Sequence, residues 1–341
     1  MTPVPWIILG LAVLIALTPK WTRPDLYFAV TVRRDFVSTP EARRILRQYW
    51  LEVAIHTIIA LGLATLVGLN TGRAVPVALF WQIIGFSWAM ARAHRATSEY
   101  HSAPDPVREV TLSARPRRLP GGWLLTLGPF VILAASSIYA VFAWDRLPAR
   151  IAVHWGVHGA DRWVDKTPLN VAGLLGLSAS ACLGFFLLSY GILHWSRRIS
   201  ATGERAQSES LFRDGTLWLM LVLQYVVVVP VVILAFWPET PAAWLWPMLA
   251  IAVSVVALLA LIRMGQGGSR VAQMAEEGPP VGDHTPDSAW KWGQFYYNPS
   301  DPALIVEKRF GLGYTLNFGN RWSWVLMTVL LLPAVFAVAL R

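Results

Sequence analysis

Residues 216–237 read TLWLMLVLQYVVVVPVVILAFW, an unbroken apolar run without one charged side chain. A bilayer core of roughly 30 Å takes about 20 such residues of α-helix, so the stretch is long enough to cross one. A helix also satisfies its own backbone, which hydrocarbon demands of anything passing through it. The same ruler, moved outward, gives seven more spans, at about 3–19, 50–69, 74–91, 122–144, 168–193, 240–262 and 323–340. Composition agrees with this. Of 341 residues 55% are hydrophobic and 14% charged, and mean hydropathy is +0.48, whereas a soluble domain carries about 25% charged residues. The 18 tryptophans suit a membrane–water boundary. The expectation is an all-α polytopic membrane protein of about eight transmembrane helices, with a small β-rich cytoplasmic segment before the last one. Collagen-like, disordered and disulfide-rich classes are excluded, and the single Cys182, inside a span, reads as a small packing residue.

The net charge of +9 gains meaning once divided by side. The loops 20–49, 92–121, 194–215 and 263–322 together hold 23 Lys and Arg, against 6 in all the alternate connections and termini. By the positive-inside rule the first set faces the cytoplasm and both termini face outward. Arginine is not interleaved with stacking aromatics over any long soluble segment, so no nucleic acid is expected as a partner. The bilayer itself is. The chain divides into 1–121, a three-helix region with basic loops; 122–193, a helix–loop–helix unit; 194–262, two further helices; 263–289, a linker; 290–319, the β-rich segment; and 320–341, the last helix.

Helix faces carry further signals. Glu52, His56, Ala60, Ala64 and Gly68 recur every four residues, on one stripe. Glu52 and His56, extended by Gln82 and Gln224, would make an intramembrane polar path, and ionisable groups in a span are functional candidates. Ala172, Gly176, Ser180 and Gly184 form a small-residue ladder, suited to close packing inside the bundle or to a homo-oligomer. Ahead of the second span, Ser38 with Glu41 three residues on is a capping-box pattern at the start of a helix carrying Arg43, Arg44 and Arg47. Leu26–Val32 reads as a short alternating run, and Gly265–Pro286 as a flexible linker.

The outward loop, residues 145–167, lies within WDRLPARIAVHWGVHGADRWVDKTP (144–168). Ile151, Val153 and Trp155 alternate with Ala152, His154 and Gly156, which predicts a strand with a turn at Gly159. His154 and His158, with Asp161 and Asp165, are metal-ligand types at close spacing, but an i, i+4 histidine pair converges only on a helix, and the glycines oppose one. A folded loop with His154 bonded to backbone or to Asp161 is the alternative, and no metal or other cofactor is expected.

Leu147-Pro148, Ile151, Val153-His154-Trp155, Gly159, Asp161, Trp163 and Lys166 together resemble the signature of a bacterial domain of unknown function. That domain also forms the N-terminal half of SdpI-type immunity proteins, which protect a producer cell from its own peptide toxin. The resemblance covers about 122–193. It implies a bacterial inner-membrane protein and, by kinship, immunity to an extracytoplasmic peptide. Ala152 stands where members usually carry Pro, and the Gly-Ile-Arg-Thr-Pro motif typical of their C-terminal half is missing.

Residues 290–319 read WKWGQFYYNPSDPALIVEKRFGLGYTLNFG. The Asn298-Pro299 and Asp301-Pro302 turns precede two strands, Ile305–Val306 and Tyr314–Phe318. Tyr297-Asn298-Pro299, Asp301-Pro302, Lys308-Arg309, Gly311, Gly313 and Asn317 follow the pattern of a second uncharacterised bacterial domain, which the segment resembles over about thirty residues. Trp290, Trp292, Phe295, Tyr296, Tyr297, Trp322 and Trp324 are expected to form an aromatic layer on the inner headgroups. The segment then serves either as a docking surface for a cytoplasmic partner or as a plug closing the bundle.

No HExxH, GxSxG or P-loop is present. The reading is a non-enzymatic membrane protein that senses, or confers resistance to, an extracytoplasmic agent such as a peptide toxin. A permease using Glu52 and His56 is the alternative, and a metal-dependent hydrolase using His154 and Asp161 a third.

Overall fold

The computed structural model describes residues 4–70, 73–103, 118–156, 159–197, 203–237, 245–271, 283 and 285–339. Among these there are eight α-helices: α1 (Val4–Leu17), α2 (Pro40–Val67), α3 (Ala74–Ser98), α4 (Gly122–Phe142), α5 (Pro168–His194), α6 (Gly203–Phe236), α7 (Leu245–Met264) and α8 (Arg321–Ala339). Seven helical segments are long and apolar enough to cross a membrane, and α8 is apolar but shorter. Each of the eight expected spans thus overlaps one of these helices. Two run well past the bilayer ruler: α6, with 34 residues, is on the order of 50 Å long, and α2 has 28.

The helices pack in two groups. In the first, α1, α2 and α3 contact one another; in the second, α5 touches α4, α6 and α8, and α7 lies on α6. Gly176 and Gly184 face α8, where an added Cβ would stand 2.8 Å from a Phe336 ring carbon and 3.2 Å from Leu330. That part of the small-residue ladder is therefore packed inside the chain.

Four antiparallel two-stranded sheets complete the described fold: β1 (Leu26–Tyr27) with β2 (Val30–Thr31), β3 (Arg150–Gly156) with β4 (Gly159–Asp165), β5 (Trp290–Lys291) with β6 (Phe295–Tyr296), and β7 (Ile305–Glu307) with β8 (Tyr314–Leu316). The predicted strand around Ile151 is β3, and Gly159, the expected turn position, is the first residue of β4, paired with Gly156.

Three local expectations are corrected. The cap of α2 is Thr39, not Ser38: the Thr39 hydroxyl accepts from the Ala42 amide at 3.2 Å, while Ser38 bonds back to Asp35. The proline decides this, because Pro40 keeps the residue before it extended and so in the capping position. Leu26–Val32 does not alternate between faces; every residue in it is buried. It is a tight hairpin whose turn residues Phe28 and Ala29 both have positive φ, with the Phe28 ring stacked on Phe310. Finally, Trp290 and Tyr296 are buried core residues, so the aromatic layer reduces to Trp292, Phe295, Tyr297, Trp322 and Trp324, which are exposed.

Residues 285–320 form a clasp over one end of both helix groups. Phe310 inserts among Phe28, Tyr49 and Phe86 of the first group. Leu304, Ile305 and Leu316 pack with Ile192, Leu193, Leu217 and Leu326 of the second. Gly191 allows this closeness, because a Cβ there would meet Ile305 at 2.5 Å. At both described ends of Gly265–Pro286 the chain is packed, with Gln266, Gly267, Gly268, Asp283 and Thr285 buried.

Candidate functional site

Three groups of residues hold the chemistry that the sequence singles out. The first is the β3–β4 hairpin at the end opposite the clasp. Its base is packed: Ile151 is buried in one cluster with Leu147, Val171, Val232 and Phe236. The Lys166 ammonium donates to the Trp144 carbonyl at 2.9 Å and to the Leu147 carbonyl at 3.2 Å, and lies 5.4 Å from the Trp144 ring centre. Thr167 then caps α5 by accepting from the Asn170 amide at 3.1 Å. Lys166 therefore braces the loop, while His154, Arg162 and Trp163 are exposed further along it, with His154 opposite Arg162 in the register. His158 lies outside the described residues, as do the side chains of Trp155 and Asp161. Among the described residues no three His, Cys, Asp or Glu side chains come together to hold a metal.

The second group lies between α1, α2 and α3, on helices long and apolar enough to cross a membrane. Glu52 of α2 meets Arg92 of α3 at 3.1 Å. The other oxygen of Glu52, the Nδ1 of His56, the Nε1 of Trp81 and the Oε1 of Gln82 are all buried without a hydrogen-bond partner. The His56 and Trp81 rings lie 5.8 Å apart, and Gly85 makes space for His56. The Gln82 amide donates to the Ile8 carbonyl of α1 at 2.9 Å. Gln224 does not join this set: it is buried on α6 in the second helix group, against Cys182 of α5.

The third group is the clasp, where the sequence motif forms two interlocked networks. Asn317 uses both ends of its amide. Its oxygen accepts from the Asn298 and Gly319 amides, and its nitrogen donates to the Asn298, Asp301 and Ala303 carbonyls. Asp301 accepts from the Tyr296 hydroxyl at 2.8 Å and pairs with Arg197 at 3.2 Å. Pro299 and Pro302 shape the turns around it, and Tyr297 and Lys308 are exposed.

Arg309 is the larger hub. Its guanidinium is 1% exposed and meets Asp283 twice, at 2.8 and 2.6 Å, then Asp287 and the Ala29 and Thr285 carbonyls. All five of its donors are used. Burial opposes ionisation of Asp283 and Asp287, but the guanidinium overrides it and holds both carboxyls below their ordinary range. Asp287 also accepts from Thr31 and from His101, at 2.9 and 2.7 Å.

Gly311 and Gly313 have positive φ in the turn between β7 and β8, and the Gly313 amide donates to Gln266 at 2.7 Å. The same Gln266 donates to Glu307 at 3.3 Å. Burial, with the Glu209 charge adding to it, pushes the Glu307 carboxyl up to about 7. Asp283, Asp287, Thr31, His101, Gln266 and Glu209 carried no local signal in the sequence.

Residues 131–177, from α4 through the hairpin into α5, match the model of a domain of unknown function (DUF1648). Residues 299–324, from the Asn298-Pro299 turn to the first turn of α8, match a family of unknown function (DUF5808). Comparison with curated proteins and with solved structures gives no match. The chain is a multi-pass membrane protein that carries these two uncharacterised units.

Proposed function

We propose that the chain is a non-enzymatic membrane receptor: the β3–β4 hairpin engages an extracytoplasmic peptide, and α5 carries the event to the clasp on the cytoplasmic side. One observation carries this reading. A single helix, α5, has the braced hairpin at its N-terminus, while its C-terminal end is bonded to the clasp. There the Trp195 carbonyl accepts from the Leu304 and Ile305 amides at 3.0 and 3.2 Å, and the Arg197 amide donates to Ile305. Movement of one folded element is thus transmitted along a rigid rod to the other. The arginine-rich loops support a cytoplasmic clasp.

The resemblance to SdpI-type immunity proteins narrows the ligand to a peptide toxin and the outcome to resistance. A strain lacking the gene, complemented by wild type, His154→Ala or Trp163→Ala, tests this against envelope-active peptides. Both variants reach the membrane at wild-type level and lose resistance. Full resistance in both refutes the receptor reading.

The unpartnered polar atoms around Glu52 favour a second reading, a solute or proton path through the first helix group. In proteoliposomes, Glu52→Gln abolishes flux on this reading. A receptor shows no flux in either form.

A further inference from the structure

At the clasp end of α5, its last turns, residues 301–304 and the first turns of α8 enclose a groove of about 800 Å³. Its two ends differ in chemistry. Trp195 and Trp322 stand exposed along it, where indoles mark a membrane–water boundary. On one side of that level lie Leu187 of α5 and Val325, Leu326 and Val329 of α8, an apolar channel that follows the helices inward for about 10 Å. On the other side lie His194, Ser196, Arg197, Asp301 and Asn320. In the Arg197–Asp301 pair the carboxylate is 2% exposed and the guanidinium 25%. The guanidinium is the more exposed member and lines the groove.

We propose that this groove is a binding site for one membrane phospholipid, with an acyl chain along Leu187, Val325, Leu326 and Val329 and the headgroup phosphate at Arg197 and His194. A soluble phosphate compound leaves the apolar channel uncovered, and a plain hydrocarbon leaves the polar rim unmatched. A phospholipid covers both, and a guanidinium suits phosphate oxygens in charge and geometry. The groove also differs from the general lipid-facing surface, because three separate elements wall it. A lipid held there stays when detergent strips the lipids that touch a single helix.

Native mass spectrometry of the full chain, released into mild detergent from nanodiscs of phosphatidylglycerol, tests the site. Wild type retains one phospholipid per chain. Val335→Trp, on the exposed face of α8 and not among the groove residues, retains it equally. Val325→Trp fills the channel while leaving the Arg197–Asp301 pair intact, and it lowers retention roughly ten-fold, as does Arg197→Gln. Retention in Val325→Trp equal to that in Val335→Trp overturns the proposal. So does a wild-type chain that holds no lipid, or one that holds a peptide mass in its place. Failure of the receptor reading leaves this result unchanged, because no toxin or resistance phenotype enters the assay.

Discussion

Replacing Arg309 by methionine keeps most of the side chain's volume and deletes its charge and all five of its donors. Asp283, 6% exposed, then keeps only the Thr285 amide and hydroxyl, at 3.0 and 2.7 Å. Asp287 is cushioned better, because Thr31 and His101 still donate to it. The main cost is therefore one buried carboxylate left without its cation. Breaking a buried pair by removing one partner costs about 3–5 kcal/mol, and the cushioning of Asp287 places the expected loss near the lower bound, about 3 kcal/mol. Unfolding in mixed detergent micelles, followed by tryptophan fluorescence, measures it. Adding Asp283→Asn to Arg309→Met removes the stranded charge and returns about 1–3 kcal/mol of that loss. The pH dependence has a definite sign. Folded-state pKa values of Asp283 and Asp287 are depressed in wild type, so their contribution is present above the ordinary carboxylate range and is lost as pH falls through the depressed values. The gap between wild type and Arg309→Met therefore narrows in acid. A loss below about 1 kcal/mol, or no recovery in the double variant, refutes the hub.

Three further outcomes follow from the packing and charge. Glu307 has a folded pKa of about 7 against an ordinary 4.5, so its contribution to stability is fully present below about pH 4.5 and is lost as pH rises through 7; Glu307→Gln flattens that decline, by about 1–3 kcal/mol at pH 8 in the same unfolding assay. At Gly85 a Cβ would stand 2.4 Å from the Cβ of His56, so Gly85→Ala destabilises the α2–α3 contact by about 1–3 kcal/mol, and in a His56→Gly background, which lacks that Cβ, the same substitution costs less; additive losses contradict this packing. Lys166→Met removes two carbonyl contacts and the Trp144 stacking, so amide exchange in β3 and β4 speeds up roughly ten-fold or more while exchange in α2 is unchanged.

The spans were legible because a bilayer imposes one length and one composition on any helix that crosses it. The β3 strand was legible because Ile151, Val153 and Trp155 alternate with the smaller or polar Ala152, His154 and Gly156 ahead of Gly159. Leu26–Val32 misled for a physical reason. Its turn uses Phe28 and Ala29 at positive φ, positions where Asn or Gly normally announces a hairpin, and burial of the Phe28 ring against Phe310 holds a conformation that local propensity opposes. Trp290 and Tyr296 carry the same amphipathic signature as boundary aromatics, and only the clasp's folding separates them from Trp292 and Trp322.

The site was legible as a motif but not as an arrangement. Asn317, Asp301 and Arg309 stand out in the chain, but what they do depends on residues far away. Arg309 meets the Ala29 carbonyl across a separation of 280 residues, and Asp287 meets Thr31 across 256. No local pattern encodes such pairings. The stripe of Glu52 and His56 was read from helical spacing alone, which cannot say that Gln224 belongs to the other helix group.

The receptor account rests on the hairpin and the clasp lying on opposite sides of one membrane. Labelling of His154→Cys and Tyr297→Cys with a membrane-impermeant maleimide, in intact and then permeabilised cells, tests this directly, since the native Cys182 is buried. The account predicts labelling at position 154 in intact cells and at position 297 only after permeabilisation. Labelling of both in intact cells would contradict it.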